Sequence, residues 1–450
     1  MKTSKEEMLA NGPIISTMLK LGIPTFIAQL INLLYNVIDR IYIGHIPGSG
    51  SSALTGLGIC FPILTLVTAF AAFAGSGGTP LCGISLGNGD KKTAEKIIGN
   101  CATLLIFSSI LLTVVFYLIK KPFLYMFGAS DITYPYADAY ISIYLLGTIF
   151  VLLSLGLNSF IIAQGHSATA MISVIIGAVC NIILDPIFIF ALSLGVRGAA
   201  FATIISQGIT TLWVIRFLIS NKATLKLRVA NLAPDFKIIG KVAALGVSPF
   251  IMSATESIIT IAFNSGAMKY GGDIYVASIT ILQSVTQMIF VPLNGFTQGV
   301  LPLISFNYGA KNYSRVKQVA IRLIVISFTF SFVLSAVSIL FPQIIAGIFT
   351  SEPALIELCK IVLPIFIFGM LVFGVQSGCQ TIFMALGKAK QAFFFAVLRK
   401  IILLTPLAIA LPIITNSVMG LYYAEPVSDT ISAICCFIVC IITLKRIENE

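Results

Sequence analysis

The chain has 450 residues, of which 58% are hydrophobic and only 10% charged, with a mean hydropathy of +1.01. Such a composition excludes a soluble globular domain and a disordered chain. The formal net charge of +11 falls in clusters between apolar runs, so it reports membrane topology and leaflet charge, and nucleic acid is not an expected partner. Apolar runs of about 20 residues, the length that crosses roughly 30 Å of hydrocarbon, predict twelve helical spans. They lie near 17–44, 54–78, 97–119, 137–162, 169–193, 198–219, 240–268, 275–305, 320–346, 358–384, 391–412 and 418–443. The first run is too long and begins too late for a cleavable signal peptide.

Basic residues gather on alternate sides of these spans. Lys2 and Lys5 precede span 1, and Lys91, Lys92 and Lys96 follow span 2. Lys222, Lys226, Arg228, Lys237 and Lys241 follow span 6; Lys311, Arg315 and Lys317 follow span 8; Lys388 and Lys390 follow span 10; Lys445 and Arg446 end the chain. The positive-inside rule therefore predicts a multi-pass cell-membrane protein with both termini in the cytoplasm. The nine cysteines include no C-x-x-C pair and read as small packing residues.

The chain repeats once. Gly87 and Gly309, Gly165 and Gly387, and Gly198 and Gly420 are each 222 residues apart, and Gly22 and Gly246 are 224 apart. Each repeat holds six spans, an even number, so the two have the same orientation: a parallel repeat about an axis along the membrane normal. The expected architecture is an all-α integral membrane protein with an N-lobe at 1–220 (spans 1–6), a cytoplasmic linker at 221–239 and a C-lobe at 240–450 (spans 7–12). Two such bundles, with a substrate path between them, are expected to rock for alternating access.

An acid in hydrocarbon costs roughly 2.5 kcal/mol or more, so by default it marks an ion or proton pathway. Asp39 and Asp185 lie at matching depth near the outer ends of spans 1 and 5. Tyr35 and Asn36 share a helix face with Asp39, Asn181 shares one with Asp185, and Thr203 falls at the same level in span 6. Pro186 deprives the Ile182 carbonyl of its helical donor. These groups make a hard-oxygen cage for Na⁺, with Asp39, Asn181, Asp185 and Thr203 as its ligands, or a shared-proton site. The competing reading pairs the acids with Arg40 or Arg197 to lock helices together.

Glu256, in the middle of span 7, is read either as a binding group for a cationic substrate, proton or ion, or as a structural partner of Gln283. Gln287 joins it as a cavity candidate. Glu425 and Asp429 share a face of span 12, where cavity lining and helix packing are both open. Arg216, Arg322, Arg399 and Lys400 are read as lying towards the cytoplasmic ends of their spans. Some of the 33 Phe and 14 Tyr are expected to line an adaptable apolar cavity, while lipid-facing and core packing account for most. Gly75-Ser-Gly-Gly78 lacks the Lys-Ser/Thr of a phosphate loop, no hydrolase constellation is present, and there is no soluble domain to hold ATP. A gradient-driven transporter is expected, without enzyme activity or cofactor.

With these residues in view, the chain resembles the multidrug and toxic compound extrusion (MATE) family, in its MepA-like bacterial branch. The stretches that carry the likeness are Tyr35-Asn-Val-Ile-Asp39-Arg-Ile-Tyr-Ile-Gly44, Asn181-Ile-Ile-Leu-Asp185-Pro186 and Gly195-Val-Arg-Gly-Ala-Ala-Phe-Ala-Thr203, with Gly87-Asn-Gly-Asp90 and Tyr308-Gly-Ala310. The resemblance implies two six-helix lobes, export of organic cations or other amphipathic drugs in exchange for H⁺ or Na⁺, and an N-lobe coupling site of Tyr35, Asp39, Asn181, Asp185 and Thr203. Glu256 falls where one subgroup has a C-lobe glutamate, but that subgroup's second acid is missing around Val375. Small-molecule substrates, membrane lipids and a monomeric state are expected. The alternative is a flippase for lipid-linked oligosaccharide or peptidoglycan precursors, whose cavity would carry mid-membrane Arg or Lys for pyrophosphate.

Overall fold

Backbone groups in hydrocarbon find no water, so long apolar runs close their hydrogen bonds within helices. In a computed structural model, which describes residues 4–447 apart from the side chains at 51, 257 and 273, every regular element is helical. Lys2 lies outside the described residues. The first half comprises α1 (Ser4–Asn11), α2 (Ile14–Gly44), α3 (Gly50–Gly87), α4 (Lys91–Met126), α5 (Tyr134–Leu146), α6 (Thr148–Ala163), α7 (Ser167–Pro186) and α8 (Val196–Ile219). The second comprises α9 (Phe236–Tyr270), α10 (Asp273–Gly309), α11 (Tyr313–Leu340), α12 (Pro342–Phe349), α13 (Pro353–Ile367), α14 (Met370–Ala385), α15 (Ala389–Val397), α16 (Thr405–Thr415) and α17 (Met419–Ile447).

Among the described residues, eleven helices are long and apolar enough to cross a membrane, and a bent pair makes a twelfth. That pair is α5 and α6, which meet at 58° across Gly147, where a Cβ would fall 2.2 Å from the Ile204 side chain of α8. The span predicted near 137–162 is therefore broken in the middle. Two other spans relax into wide π turns, at Ile187–Ala191 after Pro186 and at Leu398–Leu404 between α15 and α16.

The repeat is written into the backbone. Asp90 caps α4 by accepting from Thr93 N at 3.0 Å, and Asn312, 222 residues on, caps α11 by accepting from Arg315 N at 3.2 Å. The residue before each cap, Gly89 or Lys311, has positive φ, as do Gly165 and Gly387. Equivalent turns in the two halves thus use the same conformation.

The halves meet at one end. The N-terminal parts of α2 and α9 and the C-terminal parts of α3 and α10 interdigitate where the basic residues cluster. The approach is close enough to demand glycine: a Cβ on Gly246 would sit 2.1 Å from the Phe73 carbonyl oxygen, and one on Gly77 would sit 2.5 Å from that of Val242. Phe70 and Phe250 close the seam edge to face, 5.0 Å between centroids. At the opposite end the helices pack within their own half, as α3 does on α5 at Gly56 and α9 on α17 at Gly266.

Helix α1 crosses the basic end. Glu6 pairs with Lys91 of α4 at 2.7 Å, while Asn307 of α10 and Arg315 of α11 donate to the carbonyls of Leu9 and Gly12 at 3.0 and 2.5 Å. His166, in the nearby turn before α7, is held to a pKa of about 4, first by burial and then by the charge of Lys5. It is neutral at physiological pH.

The seam makes a prediction. Gly246→Val should destabilise this packing by about 1–3 kcal/mol, the usual cost of overpacking, and lower the Tm of the purified protein in detergent. An unchanged Tm would mean that the halves are not in contact there.

Candidate functional site

In the N-lobe, α2 packs on α7 and α7 on α8, which brings Asp39 and Asp185 together. Both are buried, and their carboxyl groups interact side chain to side chain. Asn181 Nδ2 donates to Asp185 Oδ1 at 3.3 Å, as the shared helix face requires. Asp39 Oδ1, Asp185 Oδ2 and Asn181 Oδ1 are buried and lack a hydrogen-bond partner. Three such orphaned oxygens in one pocket are what a hard cation or an added proton would satisfy. Thr203 donates its hydroxyl proton to the Ala199 carbonyl at 3.0 Å.

Among the described residues, neither acid forms an ion pair with a basic side chain; Arg40 lies over the Phe61 ring instead, 5.7 Å from its centroid. Sequence reasoning missed two members of the site. Tyr140 and Tyr144 of α5 are buried, stack at 6.1 Å and face Asp39, Thr203 and Tyr35. Their i, i+4 spacing was the available signal. Asn36, by contrast, does not join the pocket. It is exposed, donates to the Asn32 carbonyl at 2.7 Å, and touches the site only through the Tyr35 side chain.

A small cavity of about 30 Å³ adjoins this site, bordered by Tyr35, Asn181, Thr203 and Gln207. It shares Asn32, Leu155, Asn158 and Val174 with a central cavity of about 470 Å³ between the halves. The larger space has a mixed lining, more of it apolar than polar. Gln29, Asn32, Asn158, Gln287, Asn294, Gln298 and Gln380 border it, against two aromatic rings, Phe290 and Phe373. Apolar surface makes up most of this lining, with Met171, Met252, Phe290 and Phe373 contributing, as composition led one to expect, while most other rings pack in the cores or face outward.

Its C-lobe wall is charged, with Glu256, Arg399, Lys400 and Glu425. Arg399 Nε lies 2.6 Å from Asp429 Oδ1, and its Nη2 lies 3.4 Å from Glu425 Oε1. The Arg399 guanidinium also stacks over Phe373 at 4.5 Å. Lys400 Nζ lies 2.9 Å from Glu256 Oε2. In the π turn that carries both basic residues, the Arg399 and Lys400 carbonyls accept from the hydroxyls of Ser428 and Thr405, each at 2.8 Å. Such turns favour function over regularity.

Two expectations are corrected here. Arg399 and Lys400 are not at a cytoplasmic span end. Arg399 is ten residues into the Ala389–Thr415 span, about 15 Å at 1.5 Å per residue, well inside it. Gln283 is neither the partner of Glu256 nor part of the cavity lining, which ends at Thr286 and Gln287, one turn away on α10.

A family model described as MatE matches residues 24–187 and 249–410, one segment in each half. The chain belongs to the MatE family. The multidrug export protein MepA of Staphylococcus haemolyticus (strain JCSC1435) is 26% identical over 425 residues, covering 93% of this chain and 91% of its own. MepA of Staphylococcus aureus (strain MRSA252) is 24% identical over 432 residues, covering 94% of each. A crystal structure of "MATE in the bent conformation" superposes with a TM-score of 0.92 at 22% identity, covering 100% of this chain and 99% of that one. This MatE chain therefore shares the MATE fold and is a multi-pass membrane protein.

The charged wall makes a prediction. Arg399→Met leaves Asp429 and Glu425 buried without a cation and should cost about 3–5 kcal/mol. Arg399→Met combined with Asp429→Leu should recover part of that loss in thermal unfolding. A single variant as stable as wild type would contradict the pairing.

Proposed function

We propose that this MatE chain is an antiporter that exports organic cations and other amphipathic drugs from the cell by alternating access of its two lobes, in exchange for H⁺ or Na⁺. One observation carries the reading: two buried carboxylates that form no ion pair among the described residues sit behind Asn181, and Asn181 lines a small cavity whose wall shares Asn32 and Asn158 with the space between the lobes. The relatives named as multidrug export proteins support the direction and the substrate class. With both termini and the 221–239 linker in the cytoplasm, the glycine seam seals the cytoplasmic side and the chain is outward-facing.

The flippase reading called for mid-membrane Arg or Lys in the cavity. Arg399 and Lys400 do reach the cavity, but Glu256, Glu425 and Asp429 outnumber them. The formal balance is minus one, which disfavours pyrophosphate.

Asp39→Asn and Asp185→Asn should each abolish ethidium efflux from proteoliposomes under an imposed pH or Na⁺ gradient, while folding survives because an amide nearly keeps the volume. The double variant should be no worse than either single, since the two act as one site. Near-wild-type efflux in either variant would sink the coupling assignment. Alternating access has its own check. A Cβ on Gly83 falls 2.9 Å from that of Ser305 across the seam, so Gly83→Cys with Ser305→Cys should cross-link under oxidant, stop efflux and release it on reduction. Undiminished export by cross-linked protein would rule out opening at that end.

A further inference from the structure

The repeat extends beyond the glycines that first reveal it. Gly198, Ala202 and Ser206 of α8 recur as Gly420, Ala424 and Ser428 of α17, 222 residues on. Gly165 and Ala170 recur as Gly387 and Ala392 at the same interval, and Gly22, Phe26 and Ile27 of α2 recur as Gly246, Phe250 and Ile251 at 224. In these registers Asn32 corresponds to Glu256, Gly177 to Arg399, Ala178 to Lys400, Thr203 to Glu425 and Gln207 to Asp429.

The five N-lobe residues all border the same small cavity of about 30 Å³. Their five counterparts are the charged cluster of the C-lobe. The fold has built one pocket twice. In the N-lobe it is neutral, and Gly177 and Ala178 leave it open. In the C-lobe it is ringed by three carboxylates and filled by the side chains of Arg399 and Lys400.

The two basic residues are held differently. Arg399 is 3% exposed and committed to Asp429 and Glu425. Lys400 alone holds Glu256, whose side chain is 41% exposed against 7% for that of Lys400. Glu256 thus presents one side to the central cavity and the other to a tethered ammonium. An ammonium is a compact charge on a flexible stem, able to withdraw where a guanidinium fixed by two acids is not.

We infer that the C-lobe pocket is a cation site loaded by the chain's own Lys400, and that Lys400 sets the affinity of the central cavity for cationic substrates by competing with them for Glu256. Because the ammonium is tethered, it competes at an effective concentration that no dilution lowers. Removing it takes the formal charge of the cluster from minus one to minus two. The inference rests on the reading that cationic substrates enter the central cavity.

Ethidium binding to purified protein in detergent, followed by fluorescence anisotropy, tests it without any transport step. Lys400→Ala reproduces the N-lobe residue Ala178 and should tighten ethidium binding about tenfold or more, within the range measured for close charge pairs. Lys400→Arg should bind as wild type does, and Glu256→Gln with Lys400→Ala should lose the gain. If Lys400→Ala does not fold, Lys400→Gln, which still hydrogen-bonds Glu256, is held to the same criteria. Wild-type binding with no gain on removing Lys400, or a gain that persists in the double variant, overturns the proposal alone. Ethidium that binds to neither wild type nor variant overturns the cationic-substrate reading and takes the proposal with it.

Discussion

The cost of holding charge away from water governs where this chain can place its ionisable groups. An isolated ion in hydrocarbon is penalised by several kcal/mol, and a pair recovers that only with close geometry and filled hydrogen-bond valences. The two halves meet this constraint in opposite ways. The N-lobe sets two acids side by side, with buried oxygens that have no donor, a state that invites a proton or cation from outside the chain. The C-lobe supplies its own cations, and its acids are engaged within 2.6–3.4 Å. The N-lobe acids are given no cation by the described residues and the C-lobe acids are given two, although the repeat register relates the two pockets.

That contrast places the two kinds of chemistry in space. The N-lobe acids lie within the bundle of α2, α7 and α8, away from the seam. The ion-paired cluster of the C-lobe faces the space between the lobes. Asn32 and Asn158 border both cavities, and Asn158 also accepts from Ser173 of α7 at 2.9 Å. Asn158 thus links α7 to the wall of the central cavity through a single side chain.

Most of the site's N-lobe could be read from the sequence because its signals are local. Asn181 and Asp185 are one helical turn apart, and the depth of Asp39 and Thr203 follows from counting along their spans. What escaped was long-range or directional. Lys400 meets Glu256 across 144 residues, and no spacing rule links them; only the repeat register, followed past its glycines, would have done so. Asn36 and Gln283 were placed by proximity along the chain, whereas their side chains leave the helix in other directions. The bend at Gly147 depends on the approach of Ile204, a tertiary fact. Spans, repeat and matched acids were legible because hydropathy and period are summed over many residues.

Helix α1 is tied to both halves at once, to the first through Lys91 and to the second through Asn307 and Arg315. At eight residues it is too short to span a widening gap, so parting of the halves at the basic end must release one set of ties. A partly exposed ion pair is worth about 0–1 kcal/mol and each hydrogen bond about 1 kcal/mol. Such a strap biases the equilibrium by a factor of ten or so and forbids nothing. Were the halves to part there, the ordering of residues 4–12 would report it.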